Sequence, residues 1–197
     1  APLGWLLIIS SLLELILTYR LPQLEPLDVK ATFAWRNYLQ GRLASQNLKS
    51  VINRDVIRLS IIGLAIFWSV GQVMLAAFPA FAKETIGTTN TIVIQSILAA
   101  CGVGIAIGSV LAARWSRHHI ETGLIPIGAL GICCGLFIMP QLETTTLHAL
   151  NYLFIGIMGG LFIVPLNSLI QFHAQEHELG NVLATNNLCQ NLSMMTF

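Results

Sequence analysis

Charged residues are scarce in this chain. Asp, Glu, Lys and Arg make up 10% of its 197 residues, whereas they make up about a quarter of a typical soluble domain. Hydrophobic residues make up 55%, and the mean hydropathy is +0.73. This composition excludes an ordinary water-covered domain. The net charge of +1 gives no basis for binding nucleic acid.

Sequence motifs of catalysis and of nucleotide binding are also lacking. The chain has no P-loop, no dinucleotide-binding glycine fingerprint and no nucleophile elbow. His173 to His177 matches the H-x-x-E-H pattern of one class of zinc peptidase, but no third ligand is evident and Gly180 follows at once. The four cysteines lack C-x-x-C spacing, which favours small buried side chains over a metal site. We therefore predict no enzyme, no metal and no cofactor in this segment.

The apolar residues are concentrated in long runs. A hydrocarbon core about 30 Å thick needs ~20 apolar residues in a helix, and these runs reach or nearly reach that length. Segments of ten residues with alternating polarity, which are typical of membrane barrels, do not occur. We therefore predict an all-α, polytopic helical membrane protein. The runs are Leu3–Tyr19, Val56–Ala82, Thr91–Ala113, Glu121–Gln141 and Leu147–Gln171, with a sixth beginning near Asn181.

Basic residues are found on alternate loops. The loop 20–55, together with Arg58, contains seven of the ten Lys and Arg residues, and Arg114 and Arg117 lie in one further loop. Lys83 alone lies in the loops of the opposite side. Because cytoplasmic loops carry an excess of Lys and Arg, the loops 20–55 and 114–120 are predicted to be cytoplasmic. The first span then runs towards the cytoplasm, and the later spans alternate in direction.

The loop lengths predict the domain organisation. One long connection is followed by tight loops, which indicates two helical bundles joined by a cytoplasmic linker. We predict that residues 1–19 are the last helix of an N-terminal bundle, 20–55 the linker and 56–197 an incomplete C-terminal bundle. The chain starts at Ala1 rather than at Met and stops within a helix, so we expect a fragment of a longer protein. Residues around Trp35 either lie in the membrane interface or form an ordinary loop helix.

Small residues recur inside the third and fifth runs. Ala100, Gly104, Gly108 and Ala112 repeat every four residues, a spacing that allows two helices to approach closely. We predict that Gly104 and Gly108, with Gly159, Gly160 and Pro165 of the fifth run, serve as packing or hinge positions. Membrane helices are generally rich in Gly and Pro, so composition alone is the alternative explanation.

Neutral amides are the main polar groups within the predicted spans. Asn167 and Gln171 lie one turn apart on the fifth run, and Asn187, Gln190 and Asn191 lie together on the last. We predict that these five line a polar substrate cavity, because amides donate hydrogen bonds without the cost of burying a charge. The alternative is that they form hydrogen bonds between helices.

Several of the apolar runs resemble one known family. The chain resembles the major facilitator superfamily, and within it the bacterial lysophospholipid transporters, some of which are fused to an acyltransferase and an acyl-carrier-protein ligase. The resemblance covers nearly all of residues 57–197 and is weaker across 20–55. The matching stretches are Phe67–Gly71, Phe78–Glu84, Gly102–Ser109, Gly123–Gly131 and, most specifically, Gly156–Asn167.

This resemblance implies a fold, a substrate and partners. It implies twelve helices in two bundles, of which this chain would supply the sixth to part of the eleventh, in the cell inner membrane. The whole protein would move lysophospholipid inward, and Arg114 and Arg117 would belong to a cytoplasmic gating loop. Its partners would be the N-terminal bundle of the same chain, fused acyltransferase domains and a lipid or other small-molecule substrate. The alternatives are a carrier of drugs or metabolites and a membrane anchor for the acyltransferase.

Overall fold

A computed structural model describes residues 2–20, 51, 53–117, 119–175 and 178–196. The described residues form helices and no strands, as the apolar runs predict. The chain divides into two compact units, residues 1–34 and 35–197. The described helix of the first unit is α1. The α-helices whose bounds the structure describes are α1 Pro2–Tyr19, α2 Asp55–Phe81, α3 Thr91–Trp115, α4 Leu124–Ile138, α5 Thr145–His173 and α6 Leu179–Thr196.

Four described segments are long and apolar enough to cross a membrane. They correspond to α2 with the π-helical turn that follows it, α3, α4 with a short 3₁₀ turn, and α5. Helix α1, Pro2–Tyr19, is 18 residues long and so nearly reaches the length of a full span, as the first apolar run predicts. Helix α6 is not among the four membrane-length segments, because polar amides interrupt its apolar sequence.

The ends of the helices follow local sequence. The side chain of Asn90 accepts a hydrogen bond from the Ile92 N–H at 3.0 Å and caps α3. Thr144 caps α5 in the same way through the Leu147 N–H at 3.3 Å. After α2 the chain continues through the π-helix Ala82–Ile86. This helical segment ends at Gly87, whose φ is 71°. A left-handed residue there suits glycine, which has no Cβ.

Helix α5 is the centre of the second unit. It packs against α3, α4 and α2, and α2 also packs against α6. One hydrophobic cluster joins the start of α2 to the end of α5 and to α6, and includes Leu64, Leu166, Ile170 and Val182. A second cluster joins the other end of α2 to α3 and to Tyr152 of α5. Two side-chain cores at opposite ends therefore hold α2 against α5.

Candidate substrate-binding region

The crossing of α3 and α5 is built on glycine. A Cβ atom at Gly104 would collide with the backbone oxygen of Leu153, and one at Gly108 would collide with that of Ile157. Gly156 and Gly160 of α5 face the backbone of α3 in the same way, at Cys101 and next to Gly108. The two helix backbones are therefore in direct contact. This arrangement is typical of small residues that recur at a spacing of four.

Gly159 and Pro165 have different surroundings on α5. A Cβ at Gly159 would lie 2.9 Å from the ring of Phe67, so this position faces an aromatic side chain of α2. Pro165 lies inside the helix and is buried. Proline removes one backbone donor from a helix, which makes Pro165 a point where α5 can bend. A hinge role for these positions stays a prediction.

Three of the five predicted amides direct their NH₂ groups to their own helices. The Nδ2 of Asn167 donates to the backbone oxygen of Ile163 at 3.1 Å. The Nδ2 of Asn191 donates to the backbone oxygen of Asn187 at 2.8 Å. Gln190 donates to the side-chain oxygen of Asn186 at 2.9 Å. Each amide group has a second N–H and further acceptor capacity, so hydrogen-bonding capacity is left for a ligand.

The five amides form two sets rather than one cluster. Asn167 and Gln171 lie on α5, whereas Asn187, Gln190 and Asn191 lie on α6. Among the described residues, the hydrogen bonds of these amides stay within α5 or within α6, and none joins one set to the other. Gln171, Asn187 and Asn191 are exposed, while Asn167 and Gln190 are partly buried. A shared head-group site formed by both sets therefore stays a prediction.

Asn186 belongs with this region although it was not among the predicted lining residues. Its side chain is only 4% exposed, and its oxygen accepts the bond from Gln190. The four-residue spacing of Asn186 and Gln190 is visible in the sequence and could have indicated the pair. Buried amides are costly unless they are paired. We infer that Asn186 orients Gln190.

Asn151 shows the other use of an amide in this unit. Its Nδ2 donates to the backbone oxygen of Gly135 at 3.0 Å, from the second turn of α5 to α4. The bond therefore ties two neighbouring helices together. Interhelical hydrogen bonds of this kind stabilise membrane bundles modestly. Asn151 is a packing residue, in contrast to the amides that bond within α5 or α6.

An apolar cavity of about 480 Å³ lies between α2, α3, α4 and α5, and Met194 of α6 also lines it. Its lining includes Phe67, Met74, Leu98, Ile132 and Phe162. A neighbouring cavity of about 340 Å³ shares part of this wall. None of the five predicted amides lines either cavity. These cavities therefore offer an apolar surface, and any polar recognition by the amides takes place elsewhere.

The predicted gating arginines lie at the end of α3 and in the loop that leads to α4. Arg114 lies in the last turn of α3, Arg117 follows it, and both are exposed. Glu121 pairs with His119, and its backbone N–H donates to Ser116 Oγ at 3.4 Å. Neither arginine takes part in the ion pairs found among the described residues. Gating by this loop stays a prediction.

Membrane-length helices and a glycine-based helix crossing define a multi-pass helical membrane protein. A sequence profile of the Major Facilitator Superfamily matches residues 2–197, and the chain belongs to this superfamily. The prediction of a membrane transporter module rather than an enzyme agrees with this membership and with the four membrane-length segments among the described residues.

Curated relatives share one name. The chain is 32% identical over 141 residues to "Lysophospholipid transporter LplT" of Serratia proteamaculans. The aligned region covers 70% of this chain and 35% of that protein. It is 30% identical over 139 residues to the protein of that name from Escherichia fergusonii, with the same coverage. The Escherichia coli O139:H28 protein is 31% identical over 140 residues, again covering 70% and 35%. The chain thus spans about a third of these relatives. No solved structure matches it.

Proposed function

We propose that the whole protein to which this chain belongs is a secondary transporter that moves lysophospholipid inward across the bacterial inner membrane. The observation that carries this proposal is the identity of 30–32% to lysophospholipid transporters over 70% of the chain. In transporters of this superfamily, two bundles rock around a site near the middle of the membrane. The described unit 35–197 would supply helices of the second bundle.

The proposed organisation extends beyond this segment. Residues 1–19 would end the N-terminal bundle, 20–55 would form the cytoplasmic linker and 56–197 would belong to the C-terminal bundle. Most of the linker lies outside the described residues. The partners would be the N-terminal bundle of the same chain and, in a fused form, acyltransferase domains. These domains would re-acylate the lysophospholipid after its transport.

The proposed head-group site consists of the amides on α5 and α6. A zwitterionic or anionic head group needs hydrogen-bond partners, and amides supply them without a buried charge. Asn167 and Gln190 are partly buried, so they would hold the head group more firmly than the exposed amides. The acyl chain would rest against the apolar helices beside them.

Uptake by reconstituted vesicles tests this function. The full-length protein, with any acyltransferase domain inactivated, is placed in vesicles, and the inward movement of a fluorescent lysophospholipid is followed. Saturable uptake that unlabelled lysophospholipid inhibits is the expected result. Protein-free vesicles are the control. Folded protein that moves no lysophospholipid would contradict the proposal and favour a membrane anchor.

A carrier of apolar drugs is the second candidate function. The apolar cavity of about 480 Å³ is the observation that favours it, because drug-sized ligands bind in cavities of this size and polarity. The same vesicles distinguish the two candidates. Uptake of a hydrophobic dye, inhibited by other dyes but not by lysophospholipid, would support the drug carrier.

A further inference from the structure

One arginine joins three helix ends in the second unit. Arg54 immediately precedes α2 in an extended conformation. Its Nη2 donates to Glu178 Oε2 at 2.8 Å, and its Nη1 donates to the backbone oxygen of His173 at 3.3 Å. His173 is the last residue of α5, and Glu178 immediately precedes α6. The guanidinium therefore connects the start of α2, the end of α5 and the start of α6.

Both charged side chains are well placed for a firm contact. The side chains of Arg54 and Glu178 are 30% and 26% exposed, so water screens this pair less than it screens a pair on an open surface. The planar guanidinium can serve two acceptors at once, which an ammonium group cannot do with the same geometry. A cation at the end of α5 also interacts favourably with the helix dipole. We infer a fixed contact.

Few direct contacts fix the spacing of α5 and α6. The two helices scarcely touch each other within the described residues; α6 packs mainly against α2, whereas α5 packs mainly against α3 and α4. The cluster below Arg54 contains Ile57 of α2, Ile170 of α5 and Val182 of α6. Such apolar contacts are not directional. The hydrogen bonds of Arg54 are directional, and they connect the ends of both helices.

We propose that Arg54 is a positioning residue that sets the spacing of α5 and α6, and with it the distance between their two sets of amides. The effect on transport rests on the proposed function, whereas the effect on helix spacing does not. Loss of the guanidinium would leave the end of α5 and the start of α6 joined by the short connecting segment 174–178 and the apolar cluster, without the directional bonds. Asn167 and Gln190 would then no longer be held in a single relative arrangement for a head group.

The spacing can be measured without any substrate. In full-length protein in nanodiscs, with native cysteines replaced, spin labels are attached to Phe172→Cys on α5 and Ala184→Cys on α6, both exposed positions. Arg54→Gln is expected to broaden the distribution of distances between the labels. Lys83→Gln is the matched control, because it removes an exposed cation after the opposite end of α2. An unchanged distribution in Arg54→Gln would overturn the proposal.

Charge exchange separates positioning from a general loss of stability. Arg54→Gln is expected to raise the transport KM for lysophospholipid about fivefold, the scale of one partly exposed ion pair, with Vmax little changed. Glu178→Gln should behave similarly. The double variant Arg54→Glu with Glu178→Arg should lower the KM part of the way back to the unaltered protein's value and should narrow the distribution of label distances again. Lost Vmax with unchanged KM, or no recovery on exchange, would contradict the proposal.

The two readouts separate the two proposals. If the unaltered protein moves no lysophospholipid, the proposed function fails, and the label distances still decide whether Arg54 fixes the helix spacing. If transport is normal and the distances do not respond to Arg54→Gln, the positioning role fails alone. Protein that elutes as a single species in detergent is required of every variant before either measurement. A variant that fails this requirement is replaced by Glu178→Gln, which keeps the size of the side chain.

Discussion

The α3–α5 crossing and the packing of α2 against α5 and α6 use opposite means of holding helices together. At the first, glycines bring two backbones into contact, and no space is left for even one added methyl group. At the second, large side chains such as Leu64 and Ile170 fill the interface, and Arg54 adds directional bonds at its edge. Adding atoms at the first interface should therefore lower the stability of the protein, and removing atoms should lower it at the second interface.

This difference indicates which parts can change their relative position. Backbone contact through small residues allows very few arrangements, because any sliding brings the larger neighbouring residues into collision. Side chains can repack around a shifted helix at a lower cost. We therefore expect α3 and α5 to move as one body, with α6 as the more adjustable element. The amides of α6 lie on that adjustable side.

Adding a methyl group to the crossing has the largest expected effect. Gly108→Ala places a Cβ against the backbone oxygen of Ile157, and a backbone atom cannot rotate away. We expect a loss of more than about 3 kcal/mol in the free energy of unfolding, above the usual range for overpacking. Thermal unfolding in detergent measures it. Gly102→Ala, where nothing lies within 4 Å, is the control, and equal behaviour of the two variants would contradict the backbone contact.

Removing atoms from the other interface has the next largest effect. Leu64 is 0% exposed, and Leu64→Ala should lower the free energy of unfolding by about 2–3 kcal/mol through the cavity that it leaves. Ile66→Ala on the same helix removes a side chain that is 60% exposed and should cost much less. The measurement is unfolding in mixed detergent micelles. Similar losses for both variants would show that Leu64 is not part of a packed core.

The interhelical amide has the smallest expected effect. Asn151→Leu removes the 3.0 Å bond to the backbone oxygen of Gly135 and should cost about 0.6 kcal/mol, the average for such bonds in a membrane bundle. The same unfolding measurement applies. Gln95→Leu on α3 replaces an exposed amide and serves as the control. A gain in stability for Asn151→Leu would indicate that the bond adds nothing beyond what packing provides.

The helices could be predicted from the sequence because apolar runs determine them. The start of α3 at Thr91 was predicted to the residue, and α2 begins one residue before Val56. The predicted and observed helix ends differ where polar residues continue a helix or delay its start. Residues 83–86, predicted as a loop, belong to a π-helix. Helix α4 begins at Leu124 rather than at Glu121, since the Leu124 N–H closes a turn onto the Glu121 carbonyl.

The candidate site could be predicted only in part. Spacing identified the amides, because residues four apart share one face of a helix. It could not show where each amide group bonds, and Asn151 and Asn167 prove to have different partners. The contact of Arg54 with Glu178 joins residues 124 positions apart in the chain. Helical periodicity carries no information about such a distance, so this contact became visible only in the folded structure.

The central claim is that amides on α6 recognise substrate whereas the amide of Asn151 holds helices together. The most direct test is to make one substitution, Asn to Leu, at two places and to measure both the KM for lysophospholipid uptake and the midpoint of thermal unfolding. We predict that Asn191→Leu raises KM with an unchanged midpoint, and that Asn151→Leu lowers the midpoint with an unchanged KM. A lowered midpoint and an unchanged KM in Asn191→Leu would contradict the claim.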